Sequence, residues 1–111
     1  MKFEKACYSR RALYECCDKV KALPMGARRR ADHTSLCYGV LAQAFDFCLE
    51  KTNCCLFERD FSPWEDYAKA VKNKFPKKEM DKLYSGCVRF LKNQLTGILT
   101  MMETGEVDSI D

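Results

Sequence analysis

Cysteine content constrains this chain more than any other feature, because 8 of its 111 residues are cysteines. An even number of cysteines in a short chain favours disulfide pairing or metal binding over isolated thiols. A small hydrophobic core supplies limited stability, so cross-links would help such a chain to fold. Disulfides, however, persist only in oxidising compartments. The cysteines therefore connect how the chain folds with where it works.

Hydrophobic periodicity predicts two helices in the first half of the chain. The first runs from about Phe3 to Leu23 and ends at Pro24-Met25-Gly26, and the second runs from Asp32, as N-cap, to about Lys51. The apolar stripes of the two helices are Leu13, Cys16, Cys17, Val20 and Leu23, and then His33, Cys37, Val40, Leu41, Ala44 and Cys48. A short connection predicts that the two helices form an antiparallel hairpin.

Four of the cysteines have a spacing that suits two cross-links between these helices. With ~100° and ~1.5 Å per helical residue, Cys37 and Cys48 lie about 20° apart around the second helix and roughly 16 Å apart along it. Facing residues in an antiparallel hairpin have a constant sum of residue numbers. The numbers of Cys7 and Cys48 add to 55, and those of Cys17 and Cys37 add to 54. The spacing therefore predicts the disulfides Cys7–Cys48 and Cys17–Cys37, with a mismatch of ~1.5 Å that disulfide geometry tolerates.

The same geometry distinguishes the two members of the doublet Cys16-Cys17. Cys16 lies nine residues after Cys7 and points about 180° away from it around the helix. We therefore expect Cys17 to face the second helix and Cys16 to face a different surface.

The second half of the chain predicts two more helices. Ser62 as N-cap, Pro63 in the first turn and Glu65 in a capping box begin the third helix, which runs to about Phe75. Pro76 begins the fourth, which continues through Leu99. The predicted fold class is all-α, a disulfide-stapled antiparallel helical hairpin followed by two further helices. Residues 1–56 form the hairpin. Residues 57–111 form a helical extension that packs with it as one domain, and its acidic tail is frayed from residue 103 unless a partner binds it.

Aromatic residues of the extension allow two interpretations. They form a core between the third and fourth helices and the hairpin, or they form an exposed docking anchor. The residues concerned are Trp64, Tyr67, Phe75, Tyr84 and Phe90.

The segments Cys7 to Cys17 and Cys37 to Cys48 resemble the twin Cys-x9-Cys, or CHCH, family, although the second spacing is ten residues. The resemblance covers residues 5–51. It rests also on the apolar pairs Leu13-Tyr14 and Phe45 with Phe47, and on the sequences Cys16-Cys17 and Cys48-Leu49-Glu50, which are similar to assembly factors of the cytochrome oxidase type. The resemblance implies a hairpin with two nested disulfides, oxidised in the mitochondrial intermembrane space. It also implies a non-catalytic accessory subunit or assembly factor of a respiratory-chain complex.

A zinc site is the alternative interpretation of the same cysteines. Cys17, His33 and Cys37 could form one ligand set, and Cys7, Cys48, Cys54 and Cys55 a second. This alternative predicts a small cytosolic or phage-borne helical protein that binds and inhibits another protein. Cys54 and Cys55 have a further interpretation, in which they pack under the connection or one of them pairs with Cys87.

Other functional classes find little support in the sequence. The chain has one histidine, no Cys-x-x-Cys motif and no glycine-rich phosphate loop, so we expect no enzymatic activity and no cofactor. The mixed charge of the first residues predicts no cleavable leader, and no apolar stretch is long enough to span a bilayer.

Six lysines of the extension lack an aromatic stacking platform, so we expect no nucleic-acid binding: Lys69, Lys72, Lys74, Lys77, Lys78 and Lys82. Partners are expected to be protein subunits, because nine bases against three acids in residues 1–30 and four acids in residues 103–111 offer charged docking surfaces. The turn Arg28-Arg29-Arg30 belongs to the basic part.

Overall fold

The computed structural model describes residues 7–24, 30–52 and 62–109, which form four helices. Helix α1 is Arg10–Lys21, α3 is Ser62–Lys72 and α4 is Lys77–Glu103. Helix α2 has three consecutive parts, which are α-helical Arg30–Asp32, a π-helical turn His33–Cys37 and α-helical Tyr38–Thr52. Two short strands, β1 at Cys7–Tyr8 and β2 at Asp108–Ser109, complete the described residues. The predicted all-helical class is confirmed, and so is the presence of two helices after the hairpin.

Helix α1 begins later than the periodicity predicts. Ser9 is its N-cap, with extended backbone, and the Ser9 hydroxyl accepts a hydrogen bond from the Ala12 N–H at 3.2 Å. Serine at this position satisfies one of the backbone donors that the first helical turn leaves unpaired. Residues Cys7 and Tyr8 are therefore extended, and the predicted start near Phe3 is wrong for them.

Helix α4 supplies the largest part of the core. Its buried residues recur at intervals of three and four, which places them on one face of the helix: Met80, Tyr84, Cys87, Leu91, Leu95, Ile98 and Met102. They join buried residues of α1, α2 and α3 in a single apolar cluster. The hairpin and the extension thus share one core. None of the described helices combines the length and hydropathy needed to cross a bilayer.

The acidic tail is folded back against the start of the chain, so the prediction that it frays is wrong for the described residues. Gly105 has φ of 80°, and the N–H of Glu106 donates to the Met101 carbonyl at 2.8 Å. This left-handed C-terminal turn is a Schellman motif, which glycine adopts without steric cost. The turn buries Val107 and aligns β2 in parallel with β1.

Of the two interpretations of the aromatic residues, the structure supports a core position for all of them except Phe75. Tyr67 and Tyr84 are buried, while Trp64 and Phe90 are half-buried against the core. Phe75 is exposed because α3 ends at Lys72 and the chain turns away through Lys74, which has φ of 53°. The aromatic residues therefore stabilise the interior more than they offer an anchor.

The disulfide pairs Cys17–Cys37 and Cys7–Cys48 are not formed, and the predicted hairpin register is wrong. Among the described residues, Cys16, Cys17, Cys37, Cys48 and Cys87 are all thiols. Cys16 lies against Cys48 and is completely buried, whereas Cys17 is half-buried. The expected roles of Cys16 and Cys17 are therefore reversed. The side chain of Cys7 lies outside the described part of the chain, as do Cys54 and Cys55.

Contacts between α1 and α2 establish the actual register. The Lys51 ammonium lies 3.6 Å from the Glu15 carboxylate, and Lys19 lies over the Phe47 ring at 5.1 Å. The residue numbers of both pairs add to 66, and those of Cys16 and Cys48 add to 64. The helices are thus displaced by about ten residues from the register that the cysteines predicted.

The physical reason for the displacement is that, among the described residues, α1 packs mainly against the second half of α2. The first half, which includes His33 and Cys37, is buried against α3 and α4 instead, where His33 bonds to Tyr67 and Asp81. A continuous stripe along α2 therefore has two different neighbours. A constant sum of residue numbers along α2 would require a single neighbour.

Candidate functional site

His33 is the most unusual buried side chain of the described residues. It is 0% exposed and opens the π-helical turn His33–Cys37. Single π-helical turns within α-helices occur frequently at functional sites, because they redirect side chains. The residues that bond to His33 therefore show what this turn positions.

Both ring nitrogens of His33 have hydrogen-bond partners from distant parts of the chain. Nδ1 lies 2.7 Å from the Tyr67 hydroxyl and Nε2 lies 2.6 Å from Asp81 Oδ1. An ionised carboxylate can only accept, so Nε2 carries a proton that it donates to Asp81. In the neutral ring, Nδ1 then accepts the hydroxyl proton of Tyr67.

Asp81 connects the buried histidine to the protein surface. Its second oxygen accepts a hydrogen bond from the Lys77 ammonium at 2.6 Å, one helical turn earlier on α4. Burial raises the pKa of the Asp81 carboxyl, but the hydrogen bonds from Lys77 and His33 outweigh it and hold that pKa below its usual range. We call His33, Tyr67, Asp81 and Lys77 the His33 cluster.

Aromatic rings enclose the inner end of the His33 cluster. Tyr67 and Tyr84 pack edge-to-face on the His33 ring, with centroids 5.5 and 5.8 Å away. The Tyr84 hydroxyl donates to the Pro24 carbonyl at 3.0 Å. Burial raises the pKa of Tyr84 to about 12 and also raises the pKa of Tyr67, so both hydroxyls stay protonated near neutral pH.

The His33 cluster is a closed network that cross-links helices. Across the described ranges, every buried side-chain nitrogen or oxygen has a hydrogen-bond partner. A general base must reach a substrate proton within hydrogen-bond distance, and His33 is fully buried with both nitrogens bonded. The arrangement ties α2 to α3 and α4, and its geometry is that of a stabilising polar network.

The described thiols occupy two different environments. Cys16 and Cys48 contact each other between α1 and α2, and donation from the Cys48 thiol lowers the pKa of Cys16 while raising that of Cys48. Burial raises the pKa of Cys37, and it raises the pKa of Cys87 to about 12. The Cys87 thiol donates to the Pro63 carbonyl at 3.1 Å, so it is not in the disulfide that we considered with Cys54 or Cys55.

The predicted zinc ligands are not assembled within the described residues. His33 and Cys37 share a face of α2, but Cys17 lies on α1, and the His33 nitrogens are bonded to Tyr67 and Asp81. In the second set, only Cys48 has a described side chain, and it contacts Cys16. Across those same ranges, no three His, Cys, Asp or Glu side chains converge to hold a metal ion.

A second region, the seam between α1 and α4, is open. A cavity of about 450 Å³ lies there, and a second of about 300 Å³ continues from it and shares Val20, Lys21 and Lys92. We call the two cavities together the α1/α4 groove. Its apolar lining is Val20, Leu23, Pro24, Val88 and Leu95, with Cys17, Tyr84, Ser85 and Thr96 beside them.

Basic side chains border the α1/α4 groove on both walls. Lys21 belongs to α1, whereas Arg89 and Lys92 belong to α4. None of the described residues that line the groove is acidic. The sequence carries a signal for this charge, since residues 82–102 contain Lys82, Arg89 and Lys92 and no acid.

The residues that complete the His33 cluster were also missed. The sequence allows Tyr67 to be either core or docking anchor, and it indicates no role for Asp81. A buried histidine requires hydrogen-bond partners, but Tyr67 and Asp81 lie 34 and 48 residues away in the chain.

The lysines of α3 and α4 that were considered for nucleic-acid binding are exposed, with Lys77 and its bond to Asp81 as the exception. Arg28 and Arg29 lie outside the described residues.

No family model matches this chain, and no curated protein or solved structure shows significant similarity to it.

Proposed function

We propose that this chain is a non-catalytic subunit or assembly factor of a larger protein complex, and that it binds its partner through the α1/α4 groove. The observation that carries the proposal is the groove itself, which opens to solvent between two packed helices, with buried apolar side chains in its floor and with Pro24 and Val88 half-buried. Continuous apolar clefts of this kind are the usual sites at which proteins bind ligands and partner segments.

The state of the reactive groups supports a non-catalytic role. His33 is enclosed by its own partners, and Cys37 and Cys87 are buried thiols whose pKa values are raised by burial. The hydrogen bond with Cys48 lowers the pKa of Cys16, but Cys16 is completely buried. Raised pKa values leave little thiolate, which is the form that acts as a nucleophile. The polar interior therefore favours a rigid scaffold, and rigidity lowers the entropic cost of presenting a binding surface.

Native electrophoresis of the full chain, expressed with an epitope tag in its source cells, tests this proposal. Ser85 is exposed and lines the groove, so Ser85→Trp would fill the groove without burying a polar group. Asn93→Trp is the matched control, because Asn93 is exposed on the same helix and does not line the groove. We expect the wild type and Asn93→Trp to migrate within a large complex and Ser85→Trp to migrate as a monomer.

A wild-type chain that migrates only as a free monomer would contradict the proposal. So would a Ser85→Trp chain that stays in the complex, since the groove would then be dispensable.

The narrower proposal is that the complex belongs to the mitochondrial respiratory chain and that the protein resides in the intermembrane space. It depends on the resemblance to twin Cys-x9-Cys proteins, and the observed thiols do not add support to it. Fractionation of the source cells tests this location separately, with recovery in the intermembrane-space fraction as the expected result. Recovery in the cytosol alone would contradict the location and leave the groove proposal intact.

A further inference from the structure

We infer that the α1/α4 groove binds an acidic amphipathic α-helix of a partner protein. This inference rests on the proposed function and specifies the chemistry of its partner. Three features of the groove support it, which are its walls, its length and its charge.

The walls of the groove favour a helix over an extended peptide. Both walls are helices, whose backbone groups bond within α1 and α4, so neither wall offers an edge to which a strand could add. On α4, the half-buried Val88 lies one turn after Tyr84, and Tyr84 and Leu95 are buried in the floor of the groove.

The length of the groove suits about three turns of helix. The α4 wall extends from Tyr84 to Thr96, which corresponds to about 18 Å at ~1.5 Å per residue. Apolar side chains at positions i, i+3 or i+4, and i+7 of a bound helix would span most of this distance.

The charge of the groove favours an acidic partner. Lys21 stands on one wall, and Arg89 and Lys92 stand on the other, so acids on both flanks of an apolar stripe would meet bases. The chain's own acidic tail is an unsuitable occupant, because Val107 is buried and β2 is paired with β1. Helices α1 and α4 each carry more bases than acids, so a second copy would bring mostly like charge.

Fluorescence anisotropy with the full-length protein tests the inference. The probe is a labelled peptide of about 16 residues with leucines at i, i+3, i+4 and i+7 and glutamates on both flanks. A second peptide carries lysines in place of the glutamates and has the same apolar stripe. We expect the acidic peptide to bind, with affinity that falls as salt is added, and the lysine peptide to bind at least tenfold more weakly, which is about 1.4 kcal/mol.

Two double variants locate the charge effect. The double variant Arg89→Glu with Lys92→Glu should lower the affinity for the acidic peptide by about tenfold. The control variant Lys69→Glu with Lys72→Glu changes the net charge by the same amount, but at exposed positions of α3. Its affinity for the acidic peptide should stay within about twofold of the wild-type value. Circular dichroism confirms that both variants are folded.

Several results would overturn the inference. These are absence of peptide binding, equal binding of the two peptides, or equal loss in the two double variants. Binding to vesicles that contain phosphatidylserine, without binding to the acidic peptide, would identify the groove as a lipid site. Sedimentation that shows a dimer disrupted by Ser85→Trp would identify a second copy as the occupant.

The two proposals can fail separately. If Ser85→Trp releases the native complex but the charge reversal at Arg89 and Lys92 does not, the groove binds a partner that is not acidic. If neither variant releases the complex, the proposed function itself is wrong.

Discussion

The His33 cluster and the α1/α4 groove both border α4, and they use their polar groups in opposite ways. In the His33 cluster, each charged or polar group bonds to another group of the same chain. In the groove, bases surround an apolar channel that no acidic lining residue of the described part neutralises. A satisfied polar network stabilises the chain that contains it, whereas uncompensated charge beside an apolar surface favours a partner. The first region therefore stabilises the fold, and the second is the region to which we attribute partner binding in the proposed function.

The largest expected effect comes from His33→Ala. Removal of the ring leaves a cavity and deprives the Tyr67 hydroxyl and the Asp81 carboxylate of a partner, so we expect a loss of about 3 kcal/mol in the free energy of unfolding. Chemical denaturation measures it. Thr34→Ala is the control, since Thr34 is the exposed neighbour of His33, and it should change stability by less than about 0.5 kcal/mol. Equal effects would show that the His33 cluster contributes little.

The cysteine doublet gives the second prediction. Cys16→Ser places a hydroxyl in the buried contact with Cys48 and should cost about 1–2 kcal/mol. Cys17→Ser, at a half-buried position, should cost less than about 0.5 kcal/mol. Melting temperatures under reducing conditions measure the difference. A larger loss for Cys17→Ser would restore the register that places Cys17 against α2.

Acid should weaken the His33 cluster through Asp81. The pKa of Asp81 is lower in the folded protein than its ordinary value of about 3.9. The ion pair between Asp81 and Lys77 therefore stabilises the folded state fully above about pH 5. This stabilisation is lost as the pH falls through about 4 towards the lowered pKa of Asp81. We expect a smaller effect than in His33→Ala, because Asp81 is partly exposed.

Urea unfolding at a series of pH values measures this loss. Asp81→Asn removes the titrating group. The free energy of unfolding of this variant should therefore fall less steeply in acid than that of the wild type. Parallel curves for the two proteins would show that other carboxylates cause the acid response.

The smallest effect on stability is expected in the groove. Arg89 and Lys92 are exposed, so each reversal to Glu should change the free energy of unfolding by less than about 0.5 kcal/mol. Thermal unfolding followed by circular dichroism measures this. A large destabilisation would indicate that these bases maintain the fold, which would weaken the contrast between the two regions.

The sequence predicts the helices better than it predicts their partners. The Ser62-Pro63 signal and Pro76 locate the starts of α3 and α4 to within one residue, because the preference of proline for a helix start is local. The stripe of α2 is also correct, with His33, Cys37 and Cys48 all buried. Local pattern cannot tell that this stripe faces α3 and α4 in its first half and α1 in its second.

The candidate site was harder to predict for the same reason. His33 lies in the expected helix, but its partners come from α3 and α4, and only the tertiary fold brings Tyr67 and Asp81 to it. The groove depends on what α1 and α4 leave uncovered, which is a property of their packing. The sequence shows the basic residues of the groove, but it does not show that Lys21 of α1 and Arg89 and Lys92 of α4 line the same cavity.

Amide chemical-shift mapping tests the contrast between the two regions most directly. In this measurement the acidic peptide is titrated into the isotopically labelled full-length protein. We expect the largest shift changes at Val20, Lys21, Val88, Arg89 and Lys92, with His33, Tyr67 and Asp81 nearly unchanged. Changes centred on the His33 cluster, with the groove unaffected, would contradict the account and make the cluster the binding site.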